Sequence, residues 1–292
     1  MSGNLKPFFI LGNPRSGTSM FRLMLNRHSK IVVPPECGYL LWYYDKYRSA
    51  DFIDSAVIHA FVEDVCVAKK FETWGLSADE ISNYLTRQCP LTYADACAQV
   101  HRLYAISKGK VPTLWGDKNN YYVAECQRLF ELYPDAKFLF LIRDPRDVFT
   151  SYVDLSNLKT NSQYAPRLTV SAEEFSQEWA TNLKRMDRLA ALLQDDSFKY
   201  VRYEDVIRDS KETMEDVLAF LDLTLEDEVL APRGETQFIE REPVDTLDWK
   251  KLTMKAPDRS RIGRFRDVIS GPDLHVVEDV CHAGMSRFFY SS

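Results

Sequence analysis

No stretch of the 292 residues approaches the roughly 20 consecutive apolar positions that a membrane-spanning helix needs, so no bilayer span is expected. The first strand pattern starts within a few residues of Met1 and leaves no room for a signal peptide ahead of it; a soluble, cytoplasmic protein is the expectation. The six cysteines, Cys37, Cys66, Cys89, Cys97, Cys126 and Cys281, contain no C-x-x-C pair and lie in mostly apolar surroundings. They read as reduced core residues, not as disulfides or a zinc site. The five histidines, His28, His59, His101, His275 and His282, lack H-E-x-x-H or comparable spacing, so no metal centre is expected. Positive charge is not in excess either. A net charge of -6 argues against general nucleic-acid binding, which normally needs a basic surface, and makes local groups of Arg and Lys the informative ones.

What the chain does have stands at its start. Phe8-Phe9-Ile10-Leu11 reads as a short apolar strand, Gly12-Asn13-Pro14-Arg15-Ser16-Gly17 as a turn, and Thr18-Ser19-Met20 as the opening of an amphipathic helix running to Leu25. A helix N-terminus offers unpaired backbone N–H groups and partial positive charge, and a glycine there lets the main chain approach an anion closely. Gly12 to Gly17 keeps the G-x-x-x-x-G spacing of a nucleotide-triphosphate loop, but Thr18 stands where such a loop carries lysine. ATP and GTP enzymes use that lysine together with Mg2+. Here the cation has moved into the loop as Arg15, whose guanidinium fork suits two oxygens of one phosphate or sulfate without a metal.

Further along, strand and helix patterns alternate, which predicts an α/β domain with a P-loop-like parallel β-sheet flanked by helices and ligands at the carboxyl ends of its strands. Residues 39–110 read as a mainly helical insertion, with helices over Tyr39–Tyr47, Ser55–Lys69, Asp79–Leu85 and Tyr93–Ser107. A helix near Val123–Leu132 precedes Lys137–Ile142, a continuous apolar run of the kind buried on both faces of a sheet. Arg143-Asp144-Pro145-Arg146-Asp147 then opens another helix. Ala172–Gln194 reads as a long amphipathic helix, Phe198–Tyr203 as a strand, and Ser210–Leu221 as a helix capped by Ser210. Residues 224–261 are charged and proline-rich loops, and a last helix covers Pro272–Phe288. One domain spans 1–292. The oligomeric state stays open, a homodimer included.

Four separated motifs, in order, resemble the sulfotransferases that use 3'-phosphoadenosine 5'-phosphosulfate (PAPS), most nearly the tyrosylprotein sulfotransferase branch. Pro14-Arg15-Ser16-Gly17-Thr18-Ser19 is similar to that family's 5'-phosphosulfate loop, and Arg143-Asp144-Pro145-Arg146 through Ser151 to its 3'-phosphate motif. Glu36, in Val32-Val33-Pro34-Pro35-Glu36, stands where the tyrosylprotein branch carries its general base. Lys118, in Gly116-Asp117-Lys118-Asn119, resembles the lysine of an Asn-Lys-Asp motif, and Arg261-Ile262-Gly263-Arg264-Phe265 is a looser match to the segment whose glycine and cation close over the cofactor.

The resemblance implies sulfuryl transfer from PAPS to an acceptor hydroxyl, on a small molecule, a glycan or a peptide tyrosine, with release of 3'-phosphoadenosine 5'-phosphate (PAP) and no metal requirement. Glu36 would then take the acceptor proton, Arg15 and Lys118 would stabilise the bridging and leaving oxygens, and Ser16, Gly17, Thr18 and Ser19 would hold the 5'-phosphate. Arg143 and Ser151 would hold the 3'-phosphate, and Arg264 would close over the cofactor. Tyr203 reads either as a neighbour of the adenine or as a core tyrosine. The aromatic run Tyr39-Leu40-Leu41-Trp42-Tyr43-Tyr44 reads equally as an acceptor channel or as a core-facing helix. Two other readings stand beside this one: a small-molecule kinase using ATP, and a non-catalytic nucleotide-binding protein.

Overall fold

Five strands, β1 (Lys6–Gly12), β2 (Ile31–Val32), β3 (Leu114–Lys118), β4 (Lys137–Ile142) and β5 (Phe198–Arg202), form one parallel sheet in the spatial order β2-β3-β1-β4-β5. The structure is a computed structural model and describes residues 5–88, 91–231, 243–250 and 258–290. The predicted α/β sheet with helices on both faces is what forms, as a single domain.

Side-chain alternation explains the central strands. On β1, Phe8 and Ile10 join one buried cluster while Phe9 and Leu11 join another. On β4, Leu139 and Leu141 follow the first pair, and Phe138, Phe140 and Ile142 the second. With both faces covered, every position from Phe8 to Leu11 and from Phe138 to Ile142 is apolar, so the run is continuous rather than alternating. β2 and β3 were not anticipated. β3 ends in Gly116-Asp117-Lys118, which reads as a polar turn, yet all five of its residues are buried.

The chain leaves β1 toward β3 and β2 on one side and returns to β4 on the other, which puts the switch point of the sheet at the carboxyl end of β1. Ile10 pairs with Lys118 and Gly12 with Leu141. The loop after β1 is therefore flanked by Lys118 on one side and by Arg143, just beyond β4, on the other.

Between β2 and β3 the predicted helical insertion is present, with its main helices at Ser55–Val67, Ala78–Gln88 and Tyr93–Ser107; Tyr39–Tyr47 forms two short helices, Tyr39–Trp42 and Tyr44–Tyr47. The long helices Pro145–Ser156, Ala172–Ala190 and Gly271–Arg287 pack together on the face shared with the insertion. Ser171 and Ser270 cap the second and third of these, each side-chain oxygen accepting from the N–H three residues on. Ser210 does not cap its helix. The Ser210–Phe220 helix follows Asp209, and the Ser210 hydroxyl donates back to the Val206 carbonyl at 2.6 Å because a preceding helical turn, Tyr203–Arg208, supplies an acceptor.

Five cysteines are unpaired, four buried and Cys66 half-buried, and Cys89 lies outside the described residues. Of the expected loop region 224–261, positions 232–242 and 251–257 also lie outside them. Among the described residues no helix is long and apolar enough to cross a membrane.

Candidate active site

Asn13 to Gly17 forms the turn at the end of β1. Arg15 and Gly17 both take positive φ, 68° and 92°. For a non-glycine residue such as Arg15 that conformation is strained and needs the surroundings to hold it. Asn182 of the long Ala172–Ala190 helix does part of this by donating to Asn13 Oδ1 at 2.6 Å. At Gly17 the need for glycine is doubled, since a Cβ there would lie 2.4 Å from Tyr203 Cδ2. The helix that follows, Thr18–Leu25, has no side-chain cap and no acidic residue in its first turn, so its N–H groups stay available to an anion. Gly17→Ala is expected to cost about 1 kcal/mol of stability or more and to weaken binding of a phosphate ligand by displacing Tyr203; thermal unfolding and calorimetric titration with PAP check both effects.

A cavity of about 600 Å³ opens at this turn. One set of its residues is cationic. Arg15 Nε donates to Ser151 Oγ at 3.0 Å and Arg15 Nη1 to the Trp249 carbonyl at 3.2 Å. Arg143 donates to the Arg15 carbonyl at 3.2 Å and the Arg261 carbonyl at 2.8 Å, and its guanidinium lies 4.3 Å from the centre of the Tyr203 ring. Arg259 and Arg261 line the same space. Of the nearby carboxylates, Asp144 holds Arg146 at 2.8 Å, Asp147 accepts from the Gly263 and Phe265 amides at 2.7 and 3.1 Å, Asp154 pairs with Arg264 and Arg261, and Asp258, which also lines the cavity, accepts from the Ser260 amide at 2.9 Å. Among the described residues neither Arg15 nor Arg143 has a carboxylate partner, and Arg143 Nε and Ser16 Oγ are buried without a hydrogen-bond partner. Burial first, then the positive charge of Arg143 and Arg261, lowers the Arg15 pKa to about 10. Each of these features is relieved by a bound anion.

A second set surrounds Glu36. Its Oε1 is bonded to Lys118, and its Oε2 to Lys70 at 3.2 Å and to Lys250 at 3.1 Å. Lys118 also donates to Ser19 Oγ at 3.1 Å, which links this set to the loop. Burial on its own would raise the Glu36 pKa, but the charges of Lys118, Lys250 and Lys70 and the Lys118 hydrogen bond outweigh it and hold the carboxyl well below the usual range. Tyr164, Pro166, Leu168 and Trp249 complete this part of the wall.

Behind the site Asp117 is fully buried and accepts from the Tyr122 hydroxyl at 2.7 Å. Burial pushes its pKa up to about 7, against the Tyr122 hydrogen bond and with a further rise from Glu36. A carboxyl raised in the folded state binds more protons there than in the unfolded chain between about pH 4 and pH 7, so its contribution to stability is complete below that window and lost across it as pH rises. Asp117→Asn is therefore expected to gain stability relative to the wild type between pH 5 and pH 8, which thermal unfolding across that range checks.

Of the residues singled out in the sequence, Arg15, Gly17, Thr18, Ser19, Glu36, Arg143, Ser151 and Tyr203 line one cavity. Lys118 is buried beneath it and hydrogen-bonds to Glu36 and Ser19. Ser16 is buried in the turn. Arg264 is not brought in: it forms a two-bonded ion pair with Asp154, at 2.9 Å through Nη2, while Arg261, three residues earlier, faces the cavity. Tyr39, Leu40, Leu41 and Tyr44 of the aromatic run belong to the core, with Tyr39 edge-on to Phe71 and Trp74 at 5.8 and 5.7 Å, whereas Tyr43 is half-buried and Trp42 exposed; none of the run lines the cavity. Lys70, Tyr164, Trp249, Lys250 and Arg259 were not anticipated. They come from turns, a loop and a short helix in separate parts of the chain, where only the basic run Arg259 to Arg266 carried any signal.

A family model described as the sulfotransferase family matches residues 7–227. The chain belongs to the sulfotransferase family. Among its relatives, a protein-tyrosine sulfotransferase of Drosophila melanogaster is 25% identical over 76% of the chain and 39% of its own length. The chain thus spans about two-fifths of that protein. Nodulation protein NoeE of Sinorhizobium fredii is 24% identical over 98% of the chain and 67% of its own length. In solved structures the same fold occurs in the sulfotransferase domain of the Synechococcus PCC 7002 olefin synthase, with a TM-score of 0.61 at 21% identity over 95% of both chains. The sulfotransferase domain from the curacin biosynthetic pathway has a TM-score of 0.60 at 19% identity, over 96% of this chain and 98% of that one.

Proposed function

We propose that this sulfotransferase moves a sulfuryl group from PAPS to a hydroxyl of an acceptor, a small molecule, a glycan or a peptide tyrosine, and releases PAP. The observation that carries the reading is the joining, in one cavity, of Arg15 and Arg143, which have no carboxylate partner among the described residues, with a buried carboxylate–lysine group linked to the loop through Ser19. The residues present suit a ligand with two separated anionic ends and a flat ring. Arg143 and Ser151 would take the 3'-phosphate, the Gly17–Ser19 turn with Arg15 the 5'-phosphosulfate, and the Tyr203 ring beside Gly17 the nucleoside.

In the transfer, the bond from sulfur to the acceptor oxygen forms, the bond from sulfur to the 5'-phosphate oxygen breaks, and the acceptor proton passes to Glu36. A carboxylate held as low as Glu36 is ionised at neutral pH but is a weak base. It suffices because the acceptor hydroxyl becomes strongly acidic as its oxygen bonds to sulfur, so the proton leaves late. The charge developing on the departing phosphate meets Arg15, Lys118 and the helix N-terminus, already oriented before reaction. The same reading takes the transfer to be metal-independent and the protein to work in the cytoplasm, alone or as a homodimer.

Incubation with PAPS and acceptor libraries, followed by mass spectrometry for added sulfate, tests this. Sulfated product and PAP in the presence of EDTA are expected. Transfer only from ATP, lost with EDTA and restored by Mg2+, would instead establish a kinase.

A further inference from the structure

Three ammonium groups reach Glu36 from three separate stretches of chain: Lys118 from the end of β3, Lys70 from the turn after the Ser55–Val67 helix, and Lys250 from the short helix Leu247–Lys250. Their distribution over the two oxygens is unequal. Each carboxylate oxygen offers about two acceptor sites. Lys70 and Lys250 both bond Oε2 and fill it, whereas Oε1 has Lys118 alone. The oxygen with space for one more donor is thus the one beside Lys118, which in turn bonds Ser19 on the loop.

Both lysines are held where they are by specific contacts. Lys70 has φ 75°, a strained conformation for a non-glycine residue, and its carbonyl accepts from the Thr73 hydroxyl at 2.7 Å. The same turn is fastened to the segment carrying Glu36, since Trp74 Nε1 donates to the Pro35 carbonyl at 2.9 Å. Lys250 follows Trp249, a buried residue whose carbonyl accepts from Arg15, so one short stretch touches both Glu36 and the loop cation.

We propose that Lys70 and Lys250 are positioning residues for the reaction: by occupying Oε2 they keep Glu36 ionised and make Oε1 the atom that accepts the acceptor proton, next to Lys118 and Ser19. This rests on the reading of Glu36 as the base. The charged groups around it are Lys118 with Asp117 behind it on β3, Lys70 with Glu72 on the turn, Lys250 with Asp248 on the short helix, and Arg15 across the Trp249 carbonyl. Three ammonium groups outnumber the one neighbouring carboxyl that burial drives toward its neutral form. Taking away either lysine therefore favours protonated Glu36 and moves its titration upward.

The test is the pH profile of kcat/KM for Lys70→Gln and Lys250→Gln, with Lys70→Arg and Lys250→Arg as charge-keeping controls. The acid limb is expected to rise by about one pH unit or more in each glutamine variant and to return toward the wild-type position in the arginine variants, with PAP affinity by calorimetry unchanged. An unmoved limb, with activity lowered equally at every pH, overturns the proposal. Glu36→Gln separates the two readings: full turnover in that variant removes Glu36 as the base, whereas an inactive variant beside an unmoved limb removes only the role of the two lysines. If a glutamine variant does not fold, the infrared difference between wild type and Glu36→Gln decides. The Glu36 carboxyl band is expected only well below the ordinary range near pH 4; its appearance within that range overturns the proposal.

Discussion

Replacing Glu36 by glutamine is expected to lower kcat about 100- to 10,000-fold, the range a positioned general base contributes, while PAP affinity does not fall. On the proposed reading the two effects separate because the carboxylate takes the acceptor proton and does not hold the nucleotide, and because its removal leaves Lys70, Lys118 and Lys250 without their shared counter-charge, which can only favour an anion nearby. An interaction made only in the transition state lowers kcat and kcat/KM together and spares binding. Steady-state kinetics beside a calorimetric titration with PAP make the comparison. Equal losses in turnover and in PAP affinity would show that Glu36 builds the nucleotide site instead. Low pH sharpens the test. Since the folded state holds Glu36 below its unfolded value, its contribution to stability is present above about pH 4.5 and is lost as pH falls through the folded pKa, so wild type and variant converge in stability only in acid.

Arg143→Ala is expected to weaken PAP binding roughly ten- to a hundredfold. Charge-assisted hydrogen bonds are worth about 1.5 to 3 kcal/mol each, and Arg143 is 5% exposed, has no carboxylate partner among the described residues, and keeps a buried Nε without a partner. Its other contacts are carbonyl oxygens and the Tyr203 ring, which orient the guanidinium without neutralising it. Lysine at the same position should recover only part of the loss, because a point charge reproduces neither the fork nor the stacking on Tyr203. Isothermal titration of the three proteins with PAP measures this. Unchanged affinity in Arg143→Ala would take the 3'-phosphate away from the end of β4.

How far the site could be read from the chain differs from residue to residue. Arg15, Gly17, Thr18 and Ser19 were legible because strand, tight turn and helix start are consecutive, and local sequence sets their geometry. Arg143 and Ser151 were legible for a similar reason: an apolar strand, a proline at the first helical position and a hydroxyl two turns on all lie within one β–α unit. Arg264 misled, since the Arg261–Phe265 segment carries two arginines and a glycine whose amide is taken by Asp147; that tie decides which arginine turns inward. β3 was missed because Gly116 has no side chain and Asp117 and Lys118 are charged, and partners such as Tyr122, Glu36 and Ser19 make the burial of those two charges tolerable.

The sequence alone determined the parallel α/β architecture, the glycine-containing turn with its arginine at the first strand and the cationic end of its fourth, because hydrophobic periodicity and turn chemistry act over a few residues. The tertiary structure decided the rest: Tyr39, Leu40, Leu41 and Tyr44 after Glu36 became core, one cavity wall was assembled from Tyr164, Leu168 and Trp249, and Glu36 received Lys70 and Lys250 from segments distant in the chain. Those are choices of which side chains meet when separate segments close over the sheet. Coulombic and packing energies between such segments leave no periodic trace along the chain.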